Sequence, residues 1–174
     1  GDVYKRQILY CNYSNPIRKE RKRKMYCGCS YFQEDRQMAV VEEILRSEAD
    51  GSISFGNHKL AKKAKVEDYE HAGDLLKVKT YNEMTKLEKN GMFLYESVPG
   101  TSVLEFKESD NSVEFIVEGD EDSQITVGLK DDTEYEVLID GKNVGTMKTG
   151  LGGKLSLSVE LEAAGEVPVK IVEA

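Results

Sequence analysis

The stretch KLSLSVEL, residues 154–161, decides the fold. Leu155, Leu157, Val159 and Leu161 fall on one side of an extended chain, and Ser156, Ser158 and Glu160 on the other. Successive side chains of a strand point to opposite faces, so this is an antiparallel strand with one buried and one solvated face. The same alternation continues outward. TEYEVLIDG (133–141) and KNVGTMKT (142–149) meet at Asp140-Gly141, a hairpin signal. SVEFIVEG (112–119) turns Val113, Phe115 and Val117 inward, and SQITVGL (123–129) does so with Ile125, Val127 and Leu129. TSVLEFKES (101–109) follows a Pro99-Gly100 turn, and VPVKIVEA (167–174) closes the chain.

Upstream, MTKLEKNGMFLYESV (84–98) carries Asn90-Gly91 between two alternating runs. A type I′ turn needs two successive positive φ angles, which Asn-Gly supplies, so the stretch reads as a hairpin. The competing assignment makes NEMTKLEKN (82–90) a short helix capped by Asn82 and stopped by Gly91. DLLKVKTY (74–81) and SISFGNHKL (52–60) read as strands, and KVEDYEHAG (65–73) as a loop or helical turn. Strands arriving about every ten residues predict a sandwich or barrel. The expected fold is mainly β: an antiparallel β-sandwich, or two small packed β-layers, with one short N-terminal helix. That helix is placed over 38–50 in MAVVEEILRSEADG, where Val40, Val41, Ile44 and Leu45 form an apolar stripe before Gly51. A helix of about ten residues is marginal alone, so it must dock on the body or on another subunit.

The first 37 residues differ from the rest. They hold nine Lys/Arg, four Asp/Glu and all three cysteines (Cys11, Cys27, Cys29). GDVYKRQ (1–7) back-translates to a transposase adapter used in DNA library preparation, so it reads as an artefact. Residues 8–37 read as a translated, disordered upstream leader: QED (33–35) can be encoded with a ribosome-binding sequence just before Met38. Met38 is the expected start and Met25 the runner-up. Within the leader, RKERKRK (18–24) is the one basic run, and CGC (27–29), without a nearby His, is a poor zinc pattern. The expected division is then 38–118, a helix and β-meander, and 119–174, a C-terminal β-sandwich module packed on it. No Pro- or Ser-rich linker separates the two, so a shared core or tight packing is expected.

From Met38 on, 15 Lys/Arg face 28 Asp/Glu, a net charge of −13. Such a surface repels phosphate backbones, so no nucleic-acid partner is expected. No run of about 18 apolar residues exists, so no membrane span is expected. MAVVEEILRSEADG lacks a basic start and is interrupted by Glu42 and Glu43, so it is not a signal peptide. With no cysteine after Met38, a cytoplasmic location is the expectation.

Chemistry-bearing residues are sparse. His58 and His71 sit in polar contexts and read as surface imidazoles. No serine lies in a GxSxG elbow, and a Ser–His–Asp triad would need one placed beside either histidine. GDEDS (119–123) and KDDTE (130–134) are oxygen-rich, but Asp favours turns by bonding its own backbone. GLGGK (150–154) leads into a strand rather than a helix, so it is no phosphate loop. No catalytic residue, metal site or cofactor is assigned.

Two resemblances bear on function. EYEVLIDGKNVGTMKTGLGGKLSLSVEL (134–161) looks like the small β-sandwich modules appended to bacterial carbohydrate-active enzymes. MAVVEEILRSEADGSISFGN (38–57), GMFLYESVPGT (91–101) and TEYEVLIDGKNVGTMKTGLGGKLSLSVEL (133–161) resemble small proteins of anaerobic Gram-positive bacteria that carry an endosialidase or endosialin-like label. That resemblance covers Met38 to Ala174. It implies action on sialic acid polymers, which resembles chemistry by a Tyr nucleophile and an Arg cluster. After Met38 the chain has a single arginine, Arg46, so an arginine triad cannot be built. An endosialidase proper resembles a much larger β-propeller.

Three readings follow. The first is a non-enzymatic binding or self-assembling protein, forming a homo-oligomer through the 38–50 helix or its sheet edges. The second is a glycan-binding accessory module, for which Tyr69, Tyr81, Phe93, Tyr95 and Tyr135 are the candidate stacking platforms. The third is the hydrolase of the label.

Overall fold

The computed structural model describes residues 41–174. The artefact and leader assignments, both candidate start residues and all three cysteines lie outside them. Residues 41–174 belong to one compact unit.

Thirteen strands are seen among the described residues: β1 Leu45–Ser47, β2 Ile53–Phe55, β3 Ala64–His71, β4 Asp74–Tyr81, β5 Met84–Lys89, β6 Met92–Val98, β7 Ser102–Glu108, β8 Ser112–Glu118, β9 Ser123–Gly128, β10 Glu134–Ile139, β11 Lys142–Lys148, β12 Lys154–Val159 and β13 Glu166–Glu173. They form a seven-stranded sheet in the order β1-β2-β7-β8-β13-β10-β11 and a six-stranded sheet in the order β12-β9-β6-β5-β4-β3. Every recorded pairing is antiparallel. The Asn90-Gly91 turn joins β5 to β6 with both residues at positive φ, as the hairpin reading requires.

One apolar core lies between the inner faces of the two sheets, fed by alternate residues of each strand. At its centre Phe55, Tyr95, Phe106 and Phe115 meet edge to face or stacked, with Phe55 and Tyr95 centroids 5.3 Å apart. The division considered near residue 119 falls between β8 and β9, and both sheets cross it. β9 lies beside β6, and β13 lies between β8 and β10.

Three local differences from the sequence reading have physical causes. The helix expected over 38–50 begins outside the described residues; from Val41 on, that stretch is a turn followed by β1. Leu45 is buried in the unit's own core and Ile44, at φ 71°, packs against it, so these apolar residues are already covered. KVEDYEHAG is not a loop or helical turn but most of β3 and its turn. It is an edge strand with a bulge at Asp68 (φ 56°), and neither face is fully buried, so it shows no period-two apolar signal. The strand read in SISFGNHKL ends at Phe55, because Gly56 turns at φ +89° against the Thr101 carbonyl.

Candidate functional site

The pleat of the six-stranded sheet sorts its side chains. On β4, Leu76, Val78 and Thr80 point inward, leaving Lys77, Lys79 and Tyr81 outside; on β5, Thr85 and Leu87 are buried and Met84, Lys86 and Glu88 are not. Register then aligns the outer residues across strands. Lys65 pairs with Lys79, Lys79 with Lys86, and Lys86 with Glu96. The row ends at Thr126 and Ser156, whose hydroxyls are 2.9 Å apart. One pleat toward one end stand Tyr81 beside Met84, and Val98 beside Gln124. One pleat the other way stand Lys77, Glu88 and Phe93, with the Lys154 ammonium 4.4 Å from the Phe93 ring centre.

This face carries Lys65, Lys77, Lys79, Lys86 and Lys154 against Glu67, Glu70, Glu88 and Glu96, a surplus of one cation on a strongly acidic unit. Lys65 and Lys77 both donate to Glu67, at 2.7 and 2.9 Å, and hold its carboxyl down at about 2. Lys86 pairs with Glu88 at 2.8 Å and pulls its carboxyl below the usual range. Lys79 makes no ion pair with the described residues. The seven-stranded sheet is the opposite: Glu105, Glu114, Glu118, Glu134, Glu136 and Glu166 face outward against Arg46, Lys107, Lys148 and Lys170.

The five candidate aromatic platforms separate cleanly. Tyr95 and Tyr135 are core residues, 0% and 3% exposed, and cannot stack on a ligand. The Tyr69 hydroxyl accepts from the Ser47 amide at 3.1 Å and ties β3 to β1. Tyr81 and Phe93 remain, both half-exposed on the same outer face. The lysine row escaped sequence reading because only register brings its three strands together, although alternation in DLLKVKTY and MTKLEK already turns Lys79 and Lys86 outward.

Two other places hold unusual groups. At one end of the sandwich a cleft of about 710 Å³ is lined by Asn90, Asp110, Asn111, Leu129, Asp131 and Tyr135. It adjoins a second of about 210 Å³, and the Lys89–Glu108 pair, at 2.9 Å, lines both. At the opposite end His58 is not the surface imidazole expected. It is 4% exposed, because its loop packs down onto the start of β7. Its Nδ1 lies 2.9 Å from Ser102 Oγ, and its Nε2 lies 3.8 Å from Asp120, which is held by Lys59. These are the residue types of a Ser–His–Asp triad, but Ser102 is fully buried and so out of reach of a substrate. His71 is more exposed and bonds Ser47 Oγ at 2.8 Å.

Burial, and then the nearby Lys59 charge, push the His58 pKa below 6.5. The unfolded chain therefore takes up a proton at His58 that the folded chain resists, and stability drains as pH falls below 6.5. Glu118 works oppositely: burial and the nearby Glu166 raise its pKa, so its contribution is full below 4.5 and is lost as pH rises through the raised value. Urea melts on both sides of 6.5 should show the loss on acidification, and His58→Gln should flatten it. An unchanged slope in that variant would remove His58 from the account.

The acidic turns are used structurally. Asp122 accepts from the amides of Leu161 and Glu162, and Asp132 pairs with Lys148 at 2.8 Å. Among the described residues no group of three or more His, Cys, Asp or Glu side chains is placed to hold a metal ion. No described helix is long and apolar enough to cross a membrane. Compared with protein-family models, curated proteins and solved structures, the chain gives no match.

Proposed function

We propose that this chain is a non-enzymatic binding module that holds a carbohydrate polymer across the outer face of its six-stranded sheet. One observation carries the reading: Tyr81 and Phe93, the two candidate platforms free of the core and of tying contacts to β1, stand on one face with five lysines and the Thr126–Ser156 hydroxyl pair. Sugars present apolar C–H faces and polar rims, so a face of half-exposed rings among donors and acceptors suits them. Arg46, the single arginine after Met38, is spent on Glu48 at 2.7 Å in the other sheet, which favours binding over the hydrolase reading.

A glycan array probed with the full chain tests this, followed by titration calorimetry on any hit. Tyr81→Ala and Phe93→Ala should each weaken binding by about two- to tenfold, the worth of one aromatic contact. Both residues point outward, so melting should barely change. Binding that ignores both substitutions would move the site elsewhere.

A further inference from the structure

Resting on that reading, we infer that the ligand carries tetrahedral oxyanions, as phosphodiester or sulfate ester groups on a sugar or polyol chain, and that one of them sits over Lys79 between Lys65 and Lys86.

Three ammonium-bearing side chains lie directly opposite one another on neighbouring strands, about 5 Å apart from strand to strand. Like charges placed so are mutually destabilising, and folding gains nothing from the arrangement. The flanking members are partly relieved by carboxylates of the adjacent row, Lys65 by Glu67 and Lys86 by Glu88. Lys79, at the middle, makes no ion pair with the described residues; only the longer-range charge of Glu88, already bonded by Lys86, reaches it, and the one carboxylate in its own row, Glu96, stands beyond Lys86. An anion bound from outside supplies the direct ion pair that Lys79 lacks.

The donor geometry selects the anion. A planar carboxylate is best met by the two-pronged guanidinium of arginine, and among the described residues this face has none. Ammonium groups are point charges with three donors each, so Lys65 and Lys86 can keep their glutamates and still donate outward. Donors carried side by side on three strands suit an oxygen-rich tetrahedral group. The face carries only a small cationic surplus, on a unit of net −13. A sparsely charged polymer fits that; a nucleic acid, with one charge every ~1.7 Å of duplex axis, does not.

The test uses one backbone in several charge states. The full chain would be titrated with dextran, phosphorylated dextran, dextran sulfate, polygalacturonate and oligodeoxythymidylate. Expected is binding to phosphorylated or sulfated dextran that falls with added salt, and the stronger of the two names the oxyanion. Lys79→Gln should lower that affinity about tenfold, Lys79→Arg should restore part of it, and neither should lower the melting temperature. Equal binding to plain dextran, or tighter binding to polygalacturonate, overturns the oxyanion inference while leaving the carbohydrate reading standing. Preference for the oligonucleotide overturns it in favour of nucleic acid. No binding to any polysaccharide here or on the array overturns both.

Discussion

Replacing Tyr95 with alanine should cost about 3–5 kcal/mol and unfold much of the population under mild denaturant. The ring is fully buried and touches Phe55, Phe106 and Phe115 edge to face, so its removal opens a cavity where both sheets meet. Its hydroxyl adds a separate contribution. It bonds Thr101 Oγ1 at 2.9 Å, which also contacts Ser97 Oγ at 2.8 Å. The Thr101 backbone passes the chain on: its carbonyl accepts from Thr85 Oγ1 at 2.7 Å. With that proton used, Thr80 Oγ1 must donate to Thr85 across 2.8 Å, and in turn it accepts from the Asn57 amide. The hydroxyl protons of Thr80 and Thr85 thus each have one assigned direction. Tyr95→Phe keeps the ring and breaks the end of this network, for an expected loss of about 1–2 kcal/mol. Urea denaturation of both variants checks the split. Equal losses would mean that the hydroxyl, rather than the ring, holds the centre together.

Gly153→Ala should be nearly as severe, at about 3–5 kcal/mol. Gly153 sits at φ +61°, where a Cβ is strained, and that Cβ would collide with the Leu129 carbonyl oxygen. The collision cannot be relieved cheaply, because the Leu129 amide donates to the Gly153 carbonyl at 2.6 Å and fixes the two backbones together. Gly150 is the control. It lies three residues upstream in the same turn, without a positive φ and with open space where its Cβ would stand, so Gly150→Ala should change little. If both variants melt alike, the turn is adaptable and the close approach is not what shapes it.

These two positions also show where sequence reading succeeds and stops. GLGGK was legible as a turn into a strand, because glycines before an alternating run punctuate β structure. Which glycine is irreplaceable depends on Leu129, far away in the chain, and no local pattern reports it. The alternating strands from β4 to β13 were readable because each but β11 has one dry face, and β11 was marked by its Asp140-Gly141 turn; β3 was not, because an edge strand has little to bury. Tyr95 and Tyr81 look equivalent as strand tyrosines each followed by a polar residue, and only the pleat direction separates a core ring from an outward one. His58 misled for the same reason: its neighbours in sequence are polar, while the groups that cover it come from β7 and the β8–β9 turn.

The place of β13 has a consequence for how the chain reaches this state. It is the last strand in sequence, yet it lies inside the seven-stranded sheet with β8 on one side and β10 on the other. On a ribosome, β8 and β10 emerge first and cannot pair with each other in the native arrangement; each waits with an open edge until residues 166–173 arrive. The six-stranded sheet has no such delay, since its last member, β12, joins at an outer edge. Pairings so distant in sequence slow folding, and they leave unpaired edges exposed meanwhile. One sheet can therefore be assembled vectorially as the chain is made, while the other closes only after synthesis of its final strand.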